Sequence, residues 1–138
     1  MKPTAYILNT QGHKLPGAHW VCVHVDKFDD WYFDSYGFPL LVPDHINRLR
    51  KNCKILRWNV RQLQSEKPDL CGQYCLMFLH YMSDGSRIGK FLENFSANSK
   101  KNEKIVRNFA ICLPIDETFI DRGGQGSDAC KVQILECH

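Results

Sequence analysis

One short stretch of the chain, residues 72–82, is almost wholly apolar and directly follows Cys71. A helix that is apolar on all sides has to be buried, so this stretch predicts a central helix inside a folded domain. The sequence has no apolar run of the roughly eighteen residues that a membrane span needs. With 138 residues, the chain is expected to form one domain that buries about two-thirds of its unfolded surface.

Strand-like segments precede this stretch. In residues 19–26, HWVCVHVD, valines occupy alternate positions, a period of two that is typical of a strand with one face packed inward. Residues 31–34, WYFD, follow a KFDD turn and predict a second strand, paired with the first as a hairpin. Residues 5–8 and 54–58 add two shorter runs. We predict an α+β fold in which a small, mainly antiparallel or mixed sheet packs on a central helix that begins at Cys71.

Two further helices are predicted around this centre. Asp44 is a candidate N-cap for a helix that starts at residue 45, and residues 99–111 form an amphipathic pattern. The side chains expected to face the core from these helices are Ile46, Leu49, Ile105, Phe109 and Ala110.

The last part of the chain differs in composition from the rest. After Pro114 it becomes polar and rich in glycine. We predict a domain over residues 1–112 and an irregular C-terminal tail over residues 113–138.

Charge and cysteine content narrow the functional classes. The net charge of +3 does not by itself indicate nucleic-acid binding. The sequence begins without a signal-peptide pattern, and its seven cysteines are an odd number, so we expect reduced thiols in an intracellular compartment, cytoplasm or nucleus. Paired metal-ligand spacing is lacking, so we expect neither a metal ion nor another cofactor.

Four residues have the side chains that thiol-based acyl transfer requires. A thiol reacts as the thiolate, and a helix N-terminus with a nearby imidazolium lowers its pKa from about 8.5 toward roughly 3.5–7.5. Cys71 has the helix position, and His19 is the candidate base. Asp34 is placed to orient that histidine, and Gln64, seven positions before Cys71, is a candidate amide donor to an oxyanion.

Each of these residues has an ordinary alternative or a rival. A buried apolar cysteine is the common case, and Cys75, one turn further along the helix, is our candidate for it. His24 lies on the opposite strand face from His19, and His80 lies about 13 Å along the helix from Cys71, which is too far to reach the thiol. The acidic rivals of Asp34 lie in or beside a hairpin turn, where solvated carboxylates are common; they are Asp26, Asp29 and Asp30.

The same residues carry a resemblance to a known family. The strings are NTQ and GAHW within residues 9–20, YFDSYGFP at residues 32–39, and Q-x6-CGQYCLMFLHYM at residues 64–82. They resemble the adenovirus-type cysteine endopeptidases (adenain), in the clan that includes the SUMO-specific (Ulp-type) proteases. The six residues between Gln64 and Cys71 favour the viral type, since the SUMO-specific pattern usually has five.

The resemblance implies roles for the matching residues. It makes Cys71 the nucleophile, His19 the base, Asp34 its orienting partner and Gln64 the oxyanion-hole residue, and it favours cleavage after a small residue such as glycine. Trp20, beside the histidine, is expected to border the substrate cleft, although a core position is an equal alternative. The implied partner is a protein or peptide substrate, and the family adds a peptide or DNA activator by analogy only.

The resemblance also has limits. Adenain-like enzymes have a longer N-terminal region before the GAHW string, so we expect part of the family domain to be missing here. A gene carried by a large DNA transposon or a virus fits this pattern, and a viral protein would also be expected in the virion. The alternatives are a protease that removes SUMO or another ubiquitin-like tag, and an inactive remnant that acts at most as a binding module.

Overall fold

The computed structural model of the chain describes residues 3–10, 19–51, 56–65, 70–112 and 131–135. Five strands and four helices lie in these ranges. In chain order they are β1 (Thr4–Asn9), β2 (Trp20–Val25), β3 (Asp30–Phe33), α1 (Pro43–Leu49), β4 (Leu56–Trp58), α2 (Cys71–Ser83), α3 (Ile88–Leu92), α4 (Ser99–Cys112) and β5 (Lys131–Leu135).

The strands form one mixed sheet in the order β4-β3-β2-β1-β5. The centre is antiparallel: β2 pairs with β1, with Trp20 opposite Asn9, and also with β3, with Cys22 opposite Phe33. The two outer pairs, β1 with β5 and β3 with β4, are parallel. The first residues of β2 therefore lie in the middle of the sheet.

The two faces of β2 enter different parts of the core. Val21, Val23 and Val25 pack on the face that α1 helps to cover, where Leu49 is also buried. Cys22 is buried on the other face, in the larger cluster that α2 dominates. The alternation of valines thus reflects a strand buried on both faces rather than on one, because helices lie on both sides of the sheet.

Helix α2 lies at the centre of the larger cluster, as its composition predicts. Its Phe78 ring stacks on Phe33 of β3 with ring centroids 4.9 Å apart, and Phe91 of α3 meets Phe33 edge-on at 5.3 Å. Val106 of α4 is fully buried in the same cluster. The aromatic contacts fix how α2 sits on the sheet, and so fix where its first residue lies.

Most of the predicted architecture is confirmed, including the α+β class, the β2–β3 hairpin and the buried central helix. The prediction of an irregular tail is wrong for residues 131–135, because β5 pairs with β1 there. The domain boundary at residue 112 stays a prediction. Helix α3 was not predicted, since its five residues are too few to show a helical period.

Smaller differences concern α1 and α4. The N-cap of α1 is Val42 rather than Asp44, because Pro43 starts the helix. Leu49 is buried as predicted, whereas Ile46, Ile105 and Phe109 are only partly buried. The side chain of Ala110 and residues 54–55 of the predicted strand 54–58 lie outside what the structure describes. Within the described ranges, no helix is long and apolar enough to cross a membrane.

Candidate active site

Helix α2 begins at Cys71, with the apolar Leu70 in the N-cap position. A leucine cannot cap backbone N–H groups, so the first turn keeps its donors for other acceptors. The Cys71 Sγ accepts a hydrogen bond from the backbone N–H of Trp20 at 3.4 Å. The thiol therefore lies between the start of α2 and the start of β2, among groups that stabilise negative charge.

His19 stands immediately before β2, and Asp34 immediately after β3. The Nε2 of His19 and the Oδ1 of Asp34 are 2.8 Å apart, with side chains 14% and 6% exposed. The carbonyl of His19 accepts hydrogen bonds from the backbone N–H and the hydroxyl of Thr10, at 3.0 and 3.2 Å. The ring of Tyr36 packs against the imidazole with centroids 4.7 Å apart. The imidazole is thus fixed by its backbone, one ring nitrogen and one ring face.

The second ring nitrogen of His19, Nδ1, is the one available to interact with the Cys71 thiol. Nδ1 is buried and makes no hydrogen bond of normal geometry, yet His19 and Cys71 interact strongly enough to shift each other's pKa. Catalytic hydrogen bonds are often loose in sites without substrate and tighten when substrate binds. Nε2 to the carboxylate and Nδ1 to the nucleophile is the reverse of the ring orientation in the Ser-His-Asp template.

Both pKa shifts favour a charged pair. Burial would raise the pKa of the Cys71 thiol, but His19 and the backbone N–H groups of Trp20 and Gly72 outweigh it and lower that pKa. Burial would lower the pKa of His19, but the hydrogen bond and charge of Asp34, with those of Cys71, raise it to about 9. A thiolate beside an imidazolium is therefore the favoured state near neutral pH.

The raised pKa of His19 also links protonation to folding. Because the folded state binds this proton more tightly than the unfolded chain, the stabilisation is complete below pH 6.5 and is lost as the pH rises through about 9.

Asp34 is held in a turn that a buried asparagine supports. Its Oδ1 accepts the backbone N–H of Tyr36 at 2.8 Å, in addition to the His19 contact. Asn59 bonds both backbone groups of Asp34: its Oδ1 accepts the N–H at 3.0 Å, and its Nδ2 donates to the carbonyl at 2.7 Å. Asn59 therefore fixes the backbone of Asp34, and the Tyr36 N–H fixes its carboxylate toward His19.

Gly37 closes this turn, and its N–H donates to the Asp34 carbonyl at 2.8 Å. Its φ of +81° is the left-handed conformation that favours glycine. A Cβ at this position would lie 2.7 Å from the carbonyl oxygen of Val60, so the two backbones touch directly. Val60 itself has a φ of +60°, which is strained for a β-branched residue.

Gln64 is fully buried in a segment without regular secondary structure. Its Oε1 accepts the hydroxyl of Ser35 at 2.5 Å, and its backbone N–H donates to the Ser35 carbonyl at 3.0 Å. Because Ser35 follows Asp34, this segment packs beside the turn that orients His19. The structure thus brings His19, Asp34 and Cys71 into one cluster, with Gln64 attached through Ser35. Their catalytic roles stay predictions.

Trp20 contacts the candidate site through its backbone, whereas the sequence led us to expect its side chain at the substrate cleft. Its backbone N–H donates to the Cys71 sulphur, and its backbone carbonyl accepts from the Cys75 Sγ at 3.5 Å. Its side chain is partly buried against the α2 cluster. Its position at the substrate cleft stays a prediction.

The rival histidines lie elsewhere. His24 is buried within β2, where desolvation lowers its pKa against the opposing effect of Asp26 and Asp30. His80 is an exposed residue of α2, with its ring 5.2 Å from that of Phe109.

The rival carboxylates serve the hairpin turn, as the sequence suggested. Asp26 accepts the N–H groups of Phe28 and Asp29 at 2.7 and 2.8 Å, and Asp29 forms an ion pair with Arg57 at 3.4 Å.

Asn59, Ser35 and Tyr36 were not singled out from the sequence, although each contacts a candidate residue. The signal for Ser35 and Tyr36 was their place beside Asp34. Asn59 offers no comparable local signal, because it acts across 25 positions of the chain. Among the described residues, no group of three His, Cys, Asp or Glu side chains is arranged to hold a metal ion.

Comparisons with known proteins show what the chain resembles in sequence and in fold. No family model matches the chain. A protein named "Protease" from Bovine adenovirus C serotype 10 is 30% identical over 89 residues, which cover 54% of this chain and 45% of the relative. The crystal structure of the ASFV pS273R protease matches with a TM-score of 0.50 at 19% identity, covering 76% of this chain and 43% of that one.

These matches define what is established. The chain spans less than half the length of both proteins, and the structural match concerns the fold alone. The sequence match agrees with the resemblance inferred from the motifs, and the structural match agrees with the predicted α+β fold. The chain is similar in sequence to an adenovirus protease and in fold to the ASFV pS273R protease, and both similarities are consistent with the resemblance that the motifs carry.

Proposed function

We propose that this chain carries the active site of a cysteine endopeptidase with Cys71 as nucleophile, His19 as acid and base, and Asp34 as the residue that orients His19. The observation that supports it most is the contact chain itself. Asp34 bonds one nitrogen of His19 at 2.8 Å, and His19 lowers the pKa of Cys71 at the start of α2. These are the groups and the charge state that thiol acyl transfer needs.

The reaction follows from the charge state. The Cys71 thiolate attacks the carbonyl carbon of the scissile peptide bond and forms a tetrahedral oxyanion. His19 then gives its proton to the leaving amine as the C–N bond breaks, which leaves an acyl-enzyme on the sulphur. Neutral His19 next takes a proton from water as the water oxygen attacks the thioester. The C–S bond then breaks, the thiolate is restored beside protonated His19, and the carboxylic acid product loses its proton to solvent.

Gln64 and the backbone N–H of Cys71 are the proposed donors to the oxyanion. The Oε1 of Gln64 accepts the Ser35 hydroxyl, so the amide nitrogen is the donor of this side chain. Preorganised donors of this kind typically contribute about 10²–10³-fold to kcat.

The substrate is a protein or peptide, and the proposed cleavage site follows a small residue such as glycine. This specificity rests on the sequence resemblance. Trp20, next to His19, is the proposed border of the substrate cleft.

The test is turnover of a panel of Gly-Gly and Gly-X peptides, run beside fluorogenic SUMO and ubiquitin conjugates. We expect cleavage of peptides by the native protein and by Cys75→Ala, and none by Cys71→Ala. Cys75 is a suitable control because it is a buried thiol of the same helix. Turnover of conjugates alone would favour the tag-removing alternative, and a Cys71 that reacts like an ordinary thiol would contradict the proposal.

A further inference from the structure

A buried asparagine of α4 reaches the segment that contains Gln64. Asn102 is 1% exposed, and its Nδ2 donates to the carbonyl of Leu63 at 3.1 Å and to that of Ser96 at 2.8 Å. Its Oδ1 accepts the N–H of Ser96 at 3.0 Å. All the polar atoms of this side chain are therefore engaged away from its own helix.

This position is unusual for an amphipathic helix. One turn further along α4, Val106 occupies the same face and is fully buried. Asn102 is not needed as a cap, because Asn98 accepts the N–H groups of Lys100 and Lys101 at 3.1 and 3.2 Å. A polar side chain in an apolar row that does not cap its helix is explained by what it binds, which here is the backbone of Ser96 and, across 39 positions of the chain, the Leu63 carbonyl.

The bonds converge on the peptide group between Leu63 and Gln64. Its oxygen accepts from Asn102 and, at 3.3 Å, from the hydroxyl of Tyr74 on α2. Its N–H, which belongs to Gln64, donates to the Ser35 carbonyl at 3.0 Å. A peptide group bonded at both ends by three parts of the chain has a fixed plane, and that plane fixes the N–Cα bond of Gln64. The Ser35 hydroxyl holds the other end of the side chain at its Oε1.

The next residue along the chain is tied to the same helix. The hydroxyl of Ser65 donates to a carboxylate oxygen of Glu103, the neighbour of Asn102. The first turns of α4 thus hold both sides of Gln64.

We propose that Asn102 is a positioning residue for Gln64, acting with Tyr74 through the Leu63 carbonyl to aim the amide at the oxyanion. The inference rests on the proposed function, because it concerns the oxyanion donor of the same site. It assigns α4, which lies outside the Cys71–His19–Asp34 cluster, a role in the rate of acyl transfer.

The experiment compares two reactions of Cys71 in the full chain. Acylation by p-nitrophenyl acetate passes through a tetrahedral oxyanion, whereas alkylation by iodoacetamide does not, so the ratio of the two rates reports oxyanion stabilisation. The variants are Gln64→Ala, Asn102→Ala, Tyr74→Phe and each of the last two combined with Gln64→Ala. Asn94→Ala is the matched control, because its Nδ2 donates to the Phe91 carbonyl at 2.9 Å, away from Gln64.

We expect Gln64→Ala to lower the ratio about 10²-fold and Asn102→Ala about tenfold, with a smaller loss for Tyr74→Phe. In the Gln64→Ala background, the other substitutions should have little further effect, since residues that act through one group are not additive. The iodoacetamide rate and its pH midpoint should stay unchanged throughout.

Three results separate the possible failures. The inference would be overturned if Asn102→Ala lowered the ratio of acylation to alkylation equally in the native protein and in Gln64→Ala. It would also be overturned if Asn94→Ala lowered that ratio as much, because either result would show a merely structural role. Tyr74→Phe removes only a hydroxyl, so it carries the same test if Asn102→Ala does not fold. A native protein that is alkylated at a low pH midpoint but not acylated would overturn the proposed function itself, and the inference with it.

Discussion

The two parts of the candidate site are built in different ways. His19, Asp34 and Cys71 stand at the ends of β2, β3 and α2, so the regular backbone of those elements brings them together. Gln64 lies in an irregular segment, and side chains from α2, α4 and the Ser35 turn determine its position. Helices and strands thus position the charged cluster of Cys71, His19 and Asp34. A network of side-chain hydrogen bonds positions Gln64, the proposed donor to the oxyanion.

The largest expected effect comes from removing the base. His19→Ala should lower peptide turnover by about 10⁴-fold or more, because the nucleophile and its base act as one unit. It should also raise the pH midpoint of Cys71 alkylation, since His19 is the main group that lowers the pKa of that thiol. The measurement is iodoacetamide alkylation against pH with peptide mapping.

The control for this substitution is His80→Ala, which removes an exposed histidine of α2. It should leave both the turnover and the midpoint unchanged. An alkylation midpoint that is the same in His19→Ala as in the native protein would mean that the cluster does not act as a unit.

The orienting carboxylate should give the next largest effect. Asp34→Asn keeps the shape but removes the charge, and the rate should fall about 10²–10⁴-fold, as for the equivalent change in the serine protease template. Native activity should fall as the pH rises through about 9, because His19 must be protonated to serve as the acid. Without the Asp34 charge, burial would dominate and that alkaline limit should move to lower pH.

Asp29→Asn is the matched control, since Asp29 is a half-exposed carboxylate paired with Arg57. Its pH–rate profile should match that of the native protein. An alkaline limit that stays near its native value in Asp34→Asn would contradict the assigned source of the His19 pKa.

The smallest effect on rate, with a clear effect on stability, is expected for Asn59→Ala. The change leaves the backbone groups of Asp34 and the Arg61 carbonyl without their partner, so the free energy of unfolding should fall by about 1–3 kcal/mol. Urea denaturation measures this loss, with the exposed Asn47→Ala as reference. A rate loss as large as that of Asp34→Asn would show that the two parts of the site are less separate than the contacts indicate.

The same contrast explains how far the sequence could be read. The positions of Cys71, His19 and Asp34 at the ends of elements could be predicted because each adjoins a segment with a clear period or an apolar run, and element ends follow from such patterns. Their catalytic roles stay predictions. Asn59 and Asn102 were missed because their bonds span 25 and 39 positions and leave no local trace. Strand β5 was not predicted because its partner, β1, lies at the other end of the sequence. The pattern of residues 131–135 alone does not indicate which strand they pair with.

The contact of Gly37 with Val60 has a practical consequence for anyone who would transplant this site. Where two backbone segments touch directly, no side chain can change its rotamer to relieve a clash. A single methyl group at Gly37 would therefore force the two segments apart. Residues 34–37 and 59–64 therefore have to be grafted as one rigid piece. A scaffold that supplies the helix and the strand ends but lets these segments drift would reproduce the residues of the site without its geometry.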